Sequence, residues 1–259
     1  MRPEYSFAQL ERWDHLDRAD TVYLSVALVI LTVVDGRLQV LMMENPRGPF
    51  EGHFVLPQRM LRLDQTLDEA AWELFEESAW QSFAKITQHW TYSAVKRDPR
   101  GRVLTTSYVG AAPLEQMQWT TRANDCSLFD IEIEGGSVRL SLDGLGIEPG
   151  FDHDDVVAGT VAYLRQSIDY SLTPFSFLPE QFTLHELQQV HEAILGASVN
   201  RPWFRRKMLK RVFEGGRQLV ATGHYRQGVP GKPAELYSLS YVPEAIRTRQ
   251  VPSRAIFGA

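Results

Sequence analysis

Cysteine is almost absent from this sequence of 259 residues, which contains only Cys126. One cysteine cannot form an internal disulfide, and without a Cys-x-x-Cys pair or a His/Cys cluster the sequence predicts no structural zinc site. The longest apolar run, Val22–Val34, is too short to cross a bilayer. The polar N-terminal segment lacks the apolar core of a signal peptide. These absences argue against a secreted or membrane-spanning protein, and we expect a cytoplasmic globular one.

Charge is unevenly distributed along the chain, although the net formal charge is only -5. Residues 181–259 contain 12 Lys and Arg against 5 Asp and Glu, whereas the first 180 residues contain 15 against 27. An acidic first part and a basic last part predict two modules with different partners. Basic excess alone is a weak sign of nucleic-acid binding, because a solvated charged face is the commoner explanation.

The first module has the pattern of a strand-rich domain with one clear helix. Val22–Val34 is predicted to be a buried central strand, and the turn signal Asp35-Gly36 joins it to "RLQVLMME" in a hairpin. We predict a helix over Asp68–Ser78 and further strands over "TTSYVGAAP" and "CSLFDIEIE". From about Asp152 the apolar residues recur with a helical period. We therefore divide the chain into a first domain, 1–150, and a second domain, 151–259, which opens with a linker helix.

The predicted helix Asp68–Ser78 carries three glutamates on one face. Glu73, Glu76 and Glu77 are at positions i, i+3 and i+4, so a helix brings their carboxylates together. Clustered carboxylates repel one another at neutral pH unless a cation lies between them, and oxygen-ligated Mg²⁺ is the usual one. This face is therefore either an active site or the remains of one.

The segment "PFEGHFVLPQRMLRLDQTLDEAAWELFEESAW" resembles the Nudix motif, G-x5-E-x7-R-E-U-x-E-E-x-G-U, with its usual lead-in matched by Pro49, Phe50, Gly52, Leu56 and Pro57. The stretch before the helix is one residue short, and the substitutions are Gln58 and Arg59 for two glycines, Gln65 for the first Glu, Trp72 for the Arg and Ala79 for the final Gly. Pyrophosphate cleavage needs a metal ion and a water molecule held in fixed geometry. We therefore predict no catalysis and no bound metal, with Glu73, Glu76 and Glu77 as vestigial residues on a solvated helix face.

The last module has clear helix start and stop signals. Thr183–Glu186 is a capping box, and Gly196 suits the end of the helix that follows. Asn200 can cap a second helix, with Pro202 tolerated in its first turn. The predicted buried stripe of this helix is Phe204, Met208 and Val212, and its other faces carry Arg201, Arg205, Arg206, Lys207, Lys210 and Arg211. Two short strands around the tip "RQGVPGKP" complete the module.

Helix, short turn, basic helix and hairpin is the order of a winged helix-turn-helix. In that arrangement the second helix enters the major groove, where Arg can pair bidentately with guanine, and the hairpin tip lies on phosphates or in the minor groove. The alternative is a helix–hairpin subdomain that mediates dimer contacts. We predict double-stranded DNA as the partner, contacted by Asn200, Arg201, Arg205, Arg206, Lys207, Lys210, Arg226 and Lys232.

A degraded Nudix domain joined to a winged helix resembles the NrtR family of bacterial regulators of NAD metabolism, over about residues 21–239. Its most specific segments here are "RDPRGRV", "FDHDDVV", "FRRKML" and "GKPAELY", and the eroded motif is closer to the NadQ-like branch. The resemblance implies an α+β fold, with a Nudix-like α/β/α sandwich before the winged helix-turn-helix. It also implies a homodimeric repressor of NAD biosynthesis or salvage genes that binds a palindromic operator. Such a repressor requires no cofactor and senses ADP-ribose, NAD or ATP.

The candidate effector-binding residues are arginines, because an anionic diphosphate is best held by bidentate guanidinium groups. Two lie in the loops near the altered motif and three in "RDPRGR", and each could equally be a surface arginine paired with a nearby acid such as Asp98. Phe54 or Trp72 could stack on adenine, although an aromatic residue in this fold is more often part of the core. The five candidates are Arg47, Arg59, Arg97, Arg100 and Arg102.

Two other functions are consistent with the sequence. An active Mg²⁺-dependent Nudix pyrophosphohydrolase, acting on ADP-ribose or a dinucleotide, predicts metal-dependent release of AMP. A protein–protein adaptor predicts no salt-dependent affinity for duplex DNA, whereas a protein that contacts phosphates should weaken steeply with salt. The C-terminal segment "YVPEAIRTRQVPSRAIFGA" predicts no more than a short helix or arm.

Overall fold

The computed structural model describes residues 21–77, 86–117, 126–134, 137–226 and 233–241. Its centre is a mixed β-sheet whose first strand, β1 (Tyr23–Val34), is buried along most of its length, since β-branched side chains favour a pleated strand. The turn Asp35-Gly36 has positive φ at both residues, 49° and 76°, as a two-residue hairpin turn of type I′ requires. It leads into β2 (Arg37–Glu44), so the predicted hairpin is confirmed.

The sheet is completed by seven further strands. They are β3 (Phe54–Val55), β4 (Gln58–Met60), β5 (Thr87–Tyr92), β6 (Val103–Ala111), β7 (Cys126–Glu134), β8 (Ser137–Leu142) and β9 (Leu145–Ile147). The order across the sheet is β5-β6-β1-β2-β7-β8-β9, with β3 paired to β2 and β4 to β1. Strand β1 pairs in parallel with β6 and antiparallel with β2 and β4. The motif segment therefore lies directly beside the central strand.

One face of the sheet is covered by α1 (Leu67–Glu77), which begins one residue before the predicted start; predicted Ser78 lies outside the described residues. Thr66 and Glu69 cap each other reciprocally, with the Glu69 N–H donating to Thr66 Oγ1 over 3.2 Å and the Thr66 N–H donating to Glu69 Oε2 over 2.8 Å. The apolar side of the helix packs on Val26, Leu28 and Ile30 of β1 through Ala70, Ala71, Leu74 and Phe75. This packing leaves the glutamate face directed away from the core.

The opposite face of the sheet is covered by α2 (His153–Ser167). Its buried residues Val156, Val157 and Val161 join one hydrophobic cluster with Val29 and Val40 of the sheet. Helix, sheet and helix form the predicted α/β/α sandwich, and the fold class is confirmed. The sequence places α2 in the second domain as a linker helix, whereas its packing on the sheet favours a place in the first. We therefore propose a domain boundary near Ile168 rather than at residue 150.

The second domain has the predicted winged-helix order. Its elements are α3 (Thr173–Ser176), β10 (Phe182–Thr183), α4 (Leu184–Leu195), α5 (Arg201–Lys210), β11 (Arg217–Arg226) and β12 (Ala234–Tyr241). The capping box of Thr183 and Glu186 is confirmed, and Gly196 ends α4 in the left-handed conformation with φ 69°. Strand β12 lies between β10 and β11 in a three-stranded sheet.

The predicted buried stripe of α5 is confirmed for Phe204 and Met208 but wrong for Val212, whose side chain is 46% exposed. The helix ends at Lys210 and the backbone turns extended at Arg211, with ψ 140°, so the helical period does not reach Val212. Phe213 enters the core instead and contacts Phe175 edge-on at 4.9 Å between ring centroids. A sequence period cannot show where its helix stops.

The two domains share part of one hydrophobic cluster. Val190 and Ile194 of α4 belong to the same cluster as the sheet and α2. Arg165, near the end of α2, donates through Nε to the carbonyl of Ile194 over 2.8 Å. In the described part of the chain, no helix is long and apolar enough to cross a membrane. Helix α2 thus touches both the sheet and the winged helix.

Candidate functional site

The glutamate face of α1 is occupied by two arginine side chains. Arg59 lies on β4, opposite Val26 of β1, and its guanidinium bridges two carboxylates of the helix. Nη1 donates to Glu73 Oε2 over 3.1 Å, and Nη2 donates to both carboxylate oxygens of Glu77 over 2.8 and 3.0 Å. Arg62 forms a second, bidentate pair with Glu73 over 3.0 and 3.1 Å. We call these four residues the Arg–Glu cluster.

In the Arg–Glu cluster, arginines neutralise two of the glutamates on the acidic face of α1. The hydrogen bonds from Arg62 hold the pKa of the Glu73 carboxyl below its ordinary value, against an opposing effect of burial. Glu76 is exposed and lies beside the cluster on the same helix. Two of the three glutamates are therefore paired with arginines, although Glu76 and Glu77 are both exposed to solvent and Glu73 partly so.

The residues of the Arg–Glu cluster do not fit a divalent cation. Mg²⁺ demands oxygen ligands at about 2.0–2.1 Å in near-octahedral geometry, whereas the space between Glu73 and Glu77 holds the guanidinium nitrogens of Arg59. Within the described ranges, no group of three or more His, Cys, Asp or Glu side chains could hold a metal ion. Arg59 stands where the Nudix motif has a glycine, and a glycine has no side chain to fill this space.

The arginines of the "RDPRGR" segment have separate structural roles. Arg97 is buried and binds Asp152 at the start of α2 through Nε over 2.8 Å and Nη2 over 2.5 Å. It also donates to the hydroxyl of Thr105. Arg100 pairs with Asp98 over 2.7 Å, the alternative that the sequence left open. With its side chain only 2% exposed, Arg97 is inaccessible to a ligand in this conformation.

Arg102 and Arg47 lie nearer the surface. Arg102 donates through Nη1 to the carbonyl of Ser93 over 2.7 Å, and Arg47 is exposed in the loop that precedes β3. The structure thus places the five candidate arginines in different environments: Arg59 is held by glutamates, Arg97 is interior, and Arg47, Arg100 and Arg102 reach the surface.

Two phenylalanines that our sequence analysis did not select as binding residues meet near the start of α2. Phe50 and Phe151 both have positive φ, 63° and 59°, a conformation that is rare for bulky residues and often marks functional sites. Their ring centroids are 4.8 Å apart, and the Arg100 guanidinium lies 5.3 Å from the Phe151 centroid. Phe50 was visible only as part of the motif lead-in, and sequence offers no signal for positive φ at a non-glycine residue.

The two aromatic residues proposed for adenine stacking lie elsewhere. Phe54 is partly buried against Phe129, with ring centroids 4.7 Å apart, and belongs to the main core. Trp72 is 43% exposed and contacts Phe75 edge-on. The exposed and partly exposed pair Phe50 and Phe151 is therefore the better placed aromatic surface, beside Arg100.

Helix α5 presents part of the predicted basic surface to solvent. Asn200 caps it, its Oδ1 accepting a hydrogen bond from the Trp203 N–H over 3.0 Å. The basic residues at the surface of the helix are Arg201, Arg205, Arg206 and Lys210. Lys207 and Arg211 instead point back to Asp169, over 2.6 and 3.0 Å, and these hydrogen bonds hold the pKa of that carboxyl low although burial opposes them. The predicted set thus divides into exposed and anchored residues.

The hairpin of β11 and β12 is held to α4 by one ion pair. Arg226 donates through Nη2 to both carboxylate oxygens of Glu186 over 2.8 and 2.9 Å. Glu186 therefore completes the capping box and also anchors the hairpin. Arg226 was predicted to contact DNA; it is the last residue of β11, next to the hairpin tip, and this pairing ties its guanidinium to Glu186 in the first turn of α4. Lys232, the other predicted contact on the hairpin, lies outside the described residues.

Comparison with known proteins agrees with this two-domain geometry. Residues 174–239 match the NrtR DNA-binding winged helix domain. Over 83% of its length the chain is 29% identical to an ADPR responsive transcriptional repressor, NtrR, from Acinetobacter baylyi, of which it covers 80%. Shewanella oneidensis NrtR, solved with a 27mer DNA, superposes with a TM-score of 0.68 at 29% identity over 84% of this chain and 93% of that one. The chain is thus similar to NrtR regulators over both of its domains.

A third protein similar to this chain is an enzyme. The chain is 25% identical over 42% of its length to an ADP-ribose pyrophosphatase from Methanocaldococcus jannaschii, of which the match covers 65%. The Nudix-like character of the first domain is supported by its α/β/α topology and by the motif. Membership of the NadQ-like branch stays a prediction.

Proposed function

We propose that this chain is a DNA-binding transcriptional repressor whose Nudix-like domain senses ADP-ribose. One observation carries the proposal: the NrtR winged-helix match covers the domain in which α5 exposes its basic residues. The relative named as ADPR responsive matches across both domains and supplies the nature of the ligand. NAD and ATP are the other adenine nucleotides to be tested. Regulation of NAD biosynthesis or salvage genes remains part of the proposal.

On the DNA side, the exposed and anchored basic residues have different roles. Arg201, Arg205 and Arg206 are exposed and can reach base edges or phosphates when α5 enters the major groove, Arg205 by giving up its long hydrogen bond to the Tyr237 hydroxyl. Lys207 and Arg211 hold α5 against Asp169 and set the angle at which the helix is presented. Two copies on a palindromic operator must present their helices about 34 Å apart, so we propose a homodimer with two such helices.

On the ligand side, Arg47 and Arg100 are the candidates best placed to meet a diphosphate. Arg47 lies in the loop that carries Phe50, Arg100 lies over the ring of Phe151, and the ring of Phe50 or Phe151 offers a stacking surface for adenine. Arg59 can contribute only if its contacts with Glu73 and Glu77 are exchanged for contacts with the ligand. Arg97 contributes indirectly, by fixing the start of α2.

Helix α2 is the element that can carry the signal from the ligand site to the DNA-binding domain. At its start, the Leu56 N–H donates to His153 Nδ1 over 2.9 Å, which ties the helix to the motif segment. At its other end Arg165 binds the last turn of α4. A cleft of about 890 Å³ lies between β5, α2 and the segment after α5, so a rotation of α2 can change the domain angle. Ligand binding shifts such an equilibrium only by its differential affinity for the two arrangements.

We also propose that the Nudix-like domain is not a hydrolase. The substituted motif and the Arg–Glu cluster support this, because both remove the geometry that a metal-assisted attack by water needs. The pyrophosphatase relative is the reason to test the alternative directly.

Fluorescence anisotropy on duplex DNA from upstream of the chain's own gene and of NAD-biosynthesis genes tests the proposal. ADP-ribose, NAD and ATP are titrated in turn, and AMP release is followed in the same samples with Mg²⁺ present. We expect tight, salt-sensitive binding that ADP-ribose shifts without turnover. Steady AMP release without DNA binding would replace the repressor with the enzyme.

A further inference from the structure

The glutamate face of α1 contains a positive charge from the chain itself, the guanidinium of Arg59. We propose that the guanidinium of Arg59 takes the place of a divalent cation between Glu73 and Glu77, so that this site works without metal and removal of Arg59 converts it into a divalent-cation site. The proposal reverses the expectation that a Nudix-like acidic helix needs Mg²⁺. It concerns the charge balance of the site and does not depend on DNA binding.

The position of Arg59 is fixed by backbone on both sides of the pair. Strand β4 is hydrogen-bonded to β1 with Arg59 opposite Val26. Helix α1 is held on the same strand by Ala70, Ala71 and the rest of its buried face. The guanidinium side chain is 23% exposed, less than the 42% of Glu73 and the 47% of Glu77. The side chain of Arg59 is thus more buried than either carboxylate, as expected for a cation that lies between two carboxylates.

The charges of the site support the same conclusion. With both arginines present, Arg59 and Arg62 balance Glu73 and Glu77 within 3.1 Å, and Glu76 remains exposed on the same face. Without Arg59, the single charge of Arg62 would face three carboxylates at i, i+3 and i+4. Their repulsion would then favour a replacement cation, and hard oxygen ligands select Mg²⁺ or Mn²⁺.

The proposal has a consequence for ligand recognition, which rests on the proposed function. A diphosphate that approaches this face meets a guanidinium instead of a metal ion, and Arg can pair with phosphate oxygens bidentately. Binding of ADP-ribose to the wild-type chain should therefore be unchanged by EDTA. If the chain binds no ADP-ribose, the metal titration described next still decides the role of Arg59.

Titration with Mn²⁺ alone, followed by the EPR signal of the free ion, tests the proposal on the full chain. We expect Arg59→Ala to bind Mn²⁺ about tenfold or more tightly than the wild type, because three carboxylates then face a single arginine. The double variant Arg59→Ala/Glu77→Gln should return to the wild-type level. Arg37→Ala is the matched control, because Arg37 pairs with the single carboxylate of Asp130 in the same domain.

Two results would overturn the proposal. One is wild-type binding of Mn²⁺ as tight as that of Arg59→Ala and weakened by Glu77→Gln, since the guanidinium would then not occupy the cation position. The other is a folded Arg59→Ala variant with no gain over Arg37→Ala. Circular dichroism establishes folding, and Arg59→Gln, which keeps a hydrogen-bonding side chain without the charge, is used if the alanine variant is unstable. A rise in melting temperature with Mg²⁺ that occurs in Arg59→Ala and not in the wild type would support the proposal independently.

Discussion

Replacement of Arg206 by alanine should weaken specific DNA binding while leaving the fold and the nucleotide site intact. Arg206 is exposed on α5, and the helix packs on the core through other residues, Phe204 and Met208. If it pairs bidentately with a guanine, its loss should cost about 1–3 kcal/mol, or about 5- to 150-fold in affinity. If it contacts a phosphate, affinity should fall on all sequences, and the slope of log K against log salt should become shallower by about 0.9.

Anisotropy at several salt concentrations distinguishes the two kinds of contact. Arg205→Ala is measured in parallel, although Arg205 also donates to the Tyr237 hydroxyl over 3.4 Å. Lys207→Ala is the matched comparison: Lys207 is anchored to Asp169 and lies 4.4 Å from the Trp203 ring centroid, so its loss should reduce stability as well as affinity. If Arg205→Ala and Arg206→Ala both bind operator DNA like the wild type, α5 is not the recognition helix.

Three further predictions concern the contacts of helix α2. Arg97→Ala leaves the Asp152 carboxylate without its buried partner and should lower the free energy of unfolding by about 3–5 kcal/mol, measured by urea titration. A loss below about 1 kcal/mol would contradict an interior ion pair. Burial lowers the pKa of His153 to about 4, so on acidification the unfolded chain is protonated before the folded one, and the free energy of unfolding should fall as the pH drops from about 6.5 to 4. His153→Gln, which can still accept from the Leu56 N–H, should flatten this dependence of stability on pH. An unchanged dependence would refute the prediction. Arg165→Ala removes the bond to the Ile194 carbonyl and should reduce the effect of ADP-ribose on DNA affinity more than either affinity alone; full retention of the effect would exclude this contact from the coupling.

Local signals in the sequence predicted most of the fold. The Asp35-Gly36 turn, the Thr183–Glu186 capping box and the helical period after Asp152 each depend on residues close together in the chain, and each is present in the structure. The sequence places the domain boundary before α2, and we propose one after it, because the period of α2 shows that one face is buried but not which surface buries it. Packing against β1 and β2 is a long-range property.

The candidate site was less predictable for the same physical reason. Arg59 was identified as a departure from the motif, but its pairing with Glu77 spans 18 residues and depends on how β4 and α1 pack on β1. Arg97 looked like an exposed ligand-binding arginine because a sequence does not show burial. The contact between Phe50 and Phe151 joins two loops about a hundred residues apart, so no local sequence pattern predicts it.

Calorimetric titration of ADP-ribose into the free chain and into its complex with operator DNA tests the central claim most directly. Linkage requires that the ratio of the two ADP-ribose affinities equal the ratio of DNA affinities with and without the nucleotide. The account predicts that ADP-ribose binds the DNA complex about 5- to 150-fold more weakly than the free chain, the range that typical coupling energies give. Equal affinities for the free and DNA-bound chain would contradict an ADP-ribose-gated repressor.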